Sequence, residues 1–156
     1  MNMTQIKIKK AEKNDLVTII GLHKQLSITT ENDLSLDNAS KIFNKICNYP
    51  CYTIYVAEKS DKIVGVFSLL IMDNLAHGGM PSGIIEDVIV DESERCTGIG
   101  KLMVSFAMRK CSEYNCYKMV LSSNLQRHRA HKFYEELGFK KHGYSYYVEL
   151  PSHTDL

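Results

Sequence analysis

No apolar run in the chain reaches the ~20 residues that a membrane-spanning helix requires. The opening residues, MNMTQIKIKK, lack the apolar core of a secretory signal. No two of the five cysteines (Cys47, Cys51, Cys96, Cys111, Cys116) form a Cys-x-x-Cys pair, and their odd number fits no closed disulfide framework. The simplest reading is free thiols in a reducing cytoplasm, with no membrane partner. Charge of one sign is also lacking. The formal net charge is +1, so no global field draws the chain to nucleic acid or an anionic surface. Any phosphate site must be local. Repeats, low-complexity tracts and dividing linkers are absent as well. Residues 1–156 therefore read as a single domain, long enough to bury a core without metal or disulfides.

Alternation of apolar and polar residues predicts a first strand at 6–9. Asn14 or Asp15 can cap a helix that turns Leu16, Ile19, Ile20, His23 and Leu26 inward. A second helix is expected over 37–47, with Ile42, Phe43 and Ile46 inward and Pro50 beyond its end. Strand-like runs follow at 52–57, 63–72 and 83–90. The first two are joined by a polar turn, the last two by the loop DNLAHGGMPS. Leu102, Met103, Phe106, Ala107, Cys111 and Tyr114 recur at helical spacing. A short strand at 118–122, a helix at 129–137 closed by Gly138, and a last strand at 144–150 complete the chain. The order β-α-α-β-β-β-α-β-α-β, with hairpin connections in its middle, implies an α/β (α+β) fold with a mixed sheet flanked by helices.

Between the third run and the following helix lies SERCTGIGKLM. Gly98 and Gly100 let backbone approach a ligand closely. The first amides of a helix lack internal partners and, with the helix dipole, favour an anion such as phosphate. Arg95 and Lys101 add cations. Two familiar phosphate loops fit badly. A Walker A loop needs Ser or Thr after its lysine, but Leu102 stands there. A dinucleotide fingerprint needs a third small residue, but Met103 holds that place.

The string EDVIV, then R-x-x-G-x-G, then an amphipathic helix, resembles the pyrophosphate-binding motif of the GNAT (GCN5-related) N-acetyltransferase superfamily. The later string AHKFYEELGF, preceded by Asn124, is similar to the second cofactor motif of that family. The resemblance covers roughly residues 50–150, and two motifs in order are more specific than either alone. It implies a sheet with splayed strands, acetyl-CoA as donor, a small-molecule amine as acceptor and transfer within a ternary complex. It assigns pantetheine pairing to Val88 and Val90, with Ile89 between them. It gives the diphosphate to the backbone of Arg95, Cys96, Thr97, Gly98, Ile99, Gly100 and Lys101. Asn124 would approach the pantetheine arm, and Phe133 and Tyr134 the thioester. Related folds often form homodimers, and the tyrosine-rich GYSYYVEL suits one. IIEDVIVD resembles glucosamine-6-phosphate N-acetyltransferases, whereas SSNLQRHRAHKFY resembles aminoalkylphosphonate N-acetyltransferases, so the acceptor stays open.

Acetyl transfer needs a neutral amine, a donor for the oxygen that gains charge, and a proton for the departing sulfur. Glu86 or Asp87 is the candidate base; adjacent on a strand, they should face opposite sides. A strand-end carboxylate that caps backbone is the plainer alternative. Tyr134 is the candidate acid, against the alternative of an ordinary core aromatic. An amide near Val88 would serve the oxygen. His131 belongs to a basic cluster with Arg127, His128, Arg129 and Lys132. That cluster suits the 3′-phosphate of the cofactor, an anionic substrate or simply solvent. His77 could line the amine pocket. Nothing beside His128 and His131 completes a metal set, so no metal is expected. The rivals are a non-catalytic acyl-CoA-binding or sensing module, and a nucleotide-binding protein.

Overall fold

The computed structural model describes residues 6–25, 34–148 and 150. They fall into two compact units, Met1–Leu121 and Ser122–Leu156.

In the first unit, five strands form one sheet in the order β1-β2-β3-β4-β5: Ile6–Lys10, Tyr52–Lys59, Lys62–Met72, Ser82–Val90 and Lys118–Val120. The first three neighbouring pairs are antiparallel and β4–β5 is parallel, giving the mixed sheet that the connections imply. Asp15 accepts the Glu12 amide (2.8 Å) at the turn that opens α1, Leu16–Lys24. The Ser35 hydroxyl accepts the Asn38 amide (3.3 Å) at the start of α2, Leu36–Cys47.

On one face of the sheet, Ile19 and Leu22 of α1 pack with Val56, Val66 and Ile89. Leu22 was not among the residues expected inward, and Leu26 lies outside the described residues. In α2 the buried residues are Ala39 and Phe43, one turn apart; Ile42 is 45% exposed, contrary to expectation. Ile46, also expected inward, is half-buried.

The other face is covered by α3, Ile99–Glu113. Its buried stripe steps by four along Ile99, Met103, Ala107 and Cys111, with Val104 beside it. Leu102 lies off that line and Tyr114 caps the helix beyond its last turn; both were expected inward and are exposed. Two glycines let α3 approach. A Cβ at Gly65 would stand 2.7 Å from Met103 Sδ, and one at Gly83 would collide with Cys111 Sγ. Tyr55, Phe67 and Phe106 form an aromatic tier here, with ring centroids 5.1–6.3 Å apart.

In the second unit, α4 spans His128–Glu136. The Gly138 amide donates to Glu135 O and the Phe139 amide to Tyr134 O, both at 3.0 Å. Gly138 has φ +91°, the left-handed residue that this helix stop requires. The last expected strand does not form: residues 144–148 and Leu150 have no regular structure. The alternating tyrosines have strand propensity, but a strand also needs a ladder, and none pairs with it among the described residues.

Candidate active site

The geometry turns on an extra residue in β4. Val66 pairs with Ile89 and Ser68 with Glu86, which leaves Asp87 and Val88 together opposite Phe67. Asp87 takes φ +51°, a conformation that aspartate tolerates better than most residues. The bulge breaks the expected alternation, so Glu86 and Asp87 do not divide between buried and open sides; both are exposed. It also sets Glu86, through its partner Ser68, on the sheet face that packs against α1. Partial burial, and then the neighbouring Asp87 carboxylate, hold the Glu86 carboxyl above the usual range. A carboxylate so placed holds a proton more readily than a free one.

The β4–β5 ladder ends where Ile84 meets Val120. From Ile85 onward β4 has no β5 partner among the described residues, so no strand pairs with its backbone on that side up to Val90, whose carbonyl is taken by Arg95. Ile89 is buried, while Val88 and Val90 are half-buried beside this opening.

The chain then turns through Asp91 to Gly98 into α3. Gly98 has φ +91°, which a side chain would strain. The first helical bond runs from the Leu102 amide to Gly98 O (3.1 Å), and Gly98 at the cap position offers no side chain to the first amides of the helix. Arg95, Cys96, Thr97 and Gly98 are exposed. The Arg95 Nε donates to Val90 O (3.2 Å), and the Thr97 hydroxyl donates to Glu94 O (2.6 Å). A helix N-terminus with glycine at its cap and exposed Arg95 and Lys101 together fit a diphosphate.

The 73–82 loop carries His77 at φ +52°, stacked on Tyr117 with centroids 4.1 Å apart. Tyr117 had no sequence signal; forty residues separate it from His77 along the chain. In the second unit Asn124 lies with His131, and Phe133 with Tyr134. The Asn124 side-chain oxygen accepts the Gln126 amide (2.9 Å), and its carbonyl lies 2.9 Å from His131 Nε2. The ring of Tyr134 meets Phe133 at 5.1 Å and Phe139 at 5.6 Å. The helix stop itself brings Tyr134 and Phe139 together.

The sequence profile of the Acetyltransferase (GNAT) family matches residues 21–139. The chain belongs to the GNAT acetyltransferase family. A glucosamine 6-phosphate N-acetyltransferase of Trypanosoma brucei brucei is 36% identical over 89 residues, which are 57% of this chain and 58% of that protein. The corresponding enzyme of Arabidopsis thaliana is 30% identical over 139 residues, 85% of this chain and 88% of that one. The crystal structure of glucosamine-6-phosphate N-acetyltransferase from Arabidopsis thaliana superposes with a TM-score of 0.82 at 28% identity, over 94% of this chain and 99% of that one. This acetyltransferase draws on acetyl-CoA and moves the acetyl group to an amine of a small molecule.

Proposed function

We propose that the acceptor is a phosphorylated amino sugar of the glucosamine 6-phosphate type, and that 1–156 acts as one catalytic domain in the cytoplasm. The names of the relatives support the acceptor class. The observation that carries the site is the conjunction on β4: a carboxyl held above its usual range, a backbone edge without a β5 partner, and a helix start with glycine at its cap beyond the end of the same strand.

Bound acetyl-CoA supplies the electrophilic thioester carbon. Arg95, Cys96, Thr97, Gly98, Ile99, Gly100 and Lys101 grip its diphosphate, chiefly through backbone amides. Val88 and Val90, around Ile89, pair with the pantetheine arm, and Asn124 orients it. Phe133 screens the thioester from water. Glu86 takes the proton from the acceptor ammonium, directly or through water, with Asp87 sustaining its raised proton affinity. The amide near Val88 donates to the carbonyl oxygen as it gains charge. Tyr134 gives its proton to the sulfur as the carbon–sulfur bond breaks, and His131 meets the 3′-phosphate. Two copies of the chain associate: Tyr144, Tyr146 and Tyr147 are 87–88% exposed, an apolar surface that a single copy leaves wet. A light-scattering mass of one chain would overturn that part.

The test is CoA-thiol release from acetyl-CoA over a panel of glucosamine 6-phosphate, glucosamine, aminoalkylphosphonates, polyamines and aminoglycosides. Fastest release with the sugar phosphate is expected. Release with another amine alone would overturn the acceptor.

A further inference from the structure

We propose that Lys59 and Gln25, both outside the diphosphate loop, are positioning residues that make that loop hospitable to its anion. The inference rests on the loop assignment above and adds two residues to it. The difficulty it answers is electrostatic. Asp91, Glu92 and Glu94 immediately precede Arg95, so three carboxylates border a site meant for a diphosphate.

Each carboxylate is held by a partner. Lys59 Nζ, at the end of β2, reaches both Glu94 oxygens at 2.9 and 2.7 Å, and the pair is half-buried. Gln25, where the chain leaves α1, uses both ends of its amide: its nitrogen donates to Asp91 (3.2 Å) and its oxygen accepts the Glu92 amide (3.1 Å). Asp91 also accepts the Ser93 amide (2.9 Å) and hydroxyl (2.5 Å). Glu92 stands 3.5 Å from Arg95, on the loop itself.

Two remote elements thus fix the acidic limb. Lys59 neutralises the carboxylate next in sequence to Arg95, so one fewer carboxylate competes with the ligand for its guanidinium, which already meets Glu92 and the Val90 carbonyl. Gln25 holds the turn from β4, so the amides of the loop start from a fixed point. A preorganised anion site loses less on binding than one that must order itself. Neither residue touches the diphosphate; each acts through Glu94 or through Asp91 and Glu92.

The experiment titrates CoA into the full chain by calorimetry, with 4′-phosphopantetheine, which lacks the diphosphate, as the second ligand. Lys59→Met should weaken CoA by about tenfold, the size of one half-buried charge-assisted contact, and leave 4′-phosphopantetheine within about twofold. In steady state the KM for acetyl-CoA should rise while kcat holds. Gln25→Leu should act in the same direction. The exchange Lys59→Glu with Glu94→Lys rebuilds the pair and should recover CoA to within about threefold of wild type. The conservative Lys59→Arg should stay near wild type even if Lys59→Met folds poorly.

Three results overturn the proposal: CoA affinity unchanged in Lys59→Met, equal losses for both ligands, or an exchanged pair that folds yet binds no better than Lys59→Met. Wild type that fails to bind CoA would overturn the loop assignment itself, and this inference with it. Wild type that binds, with indifferent variants, overturns this inference alone.

Discussion

At the scale of single residues, Glu86 carries the sharpest prediction. Its carboxyl is held above the ordinary 4.5 by burial and by Asp87. Between the ordinary and raised values, the folded chain binds more protons than the unfolded one. Stability therefore falls as pH rises through that window, the opposite of a salt-bridged carboxylate. Glu86→Gln removes this penalty. Its thermal midpoint at pH 7 should match or exceed that of wild type, and the difference should shrink towards pH 4.5. Its kcat/KM should drop by about 10²–10⁴, the usual loss of a positioned base. Steady-state kinetics and melts on one preparation check both. A stable variant with full activity would remove Glu86 from the role. Tyr134→Phe should lower turnover with little loss of CoA affinity, since its hydroxyl is assigned to the departing sulfur and not to holding the donor.

At the scale of elements, the close seat of α3 on the sheet is the feature to test. Gly83→Ala drives a Cβ into Cys111 Sγ, in a core where the helix cannot easily move. The expected loss is about 1–3 kcal/mol in urea unfolding. Cys111→Ala in the same chain removes the obstacle, so the double variant should be more stable than the sum of the two losses implies. Simple addition would mean that the contact does not set the helix position.

Much at this scale was legible in the sequence. Strand runs, helix spacing and hairpin turns mark the elements through local chemistry, and the hairpins imply the mixed sheet. The alternation at Glu86 and Asp87 was not legible, because a bulge is one extra residue in a ladder and appears only when β3 and β4 pair. The strand expected at 144–150 failed for a related reason: tyrosine alternation reports propensity, not a partner. Leu102 and Ile42 misled because each lies next to the true stripe, and apolarity alone does not say which side a helix buries. Lys59–Glu94 and Gln25–Asp91 span 35 and 66 residues, and no spacing rule connects them.

At the scale of the molecule, charge and local geometry divide the work. A net charge of +1 provides no long-range pull on an anionic donor, so affinity must come from the short stretch between β4 and α3. Acetyl-CoA binding should then stabilise the folded chain by mass action, about 2.7 kcal/mol at a hundred times Kd. For a chain of this size that raises the midpoint by roughly 5–10 °C. The same multiple of the Kd of 4′-phosphopantetheine would give the same shift, so the informative comparison is at equal concentration. There the fragment without a diphosphate should move the midpoint by only a small part of the CoA shift. Differential scanning fluorimetry in low and moderate salt checks it. Added salt should reduce the CoA shift more than the fragment shift, because the exposed contacts at Arg95 and Lys101 are open to screening. Equal shifts for both ligands would place the binding energy along the pantetheine arm and take the diphosphate away from the glycine loop.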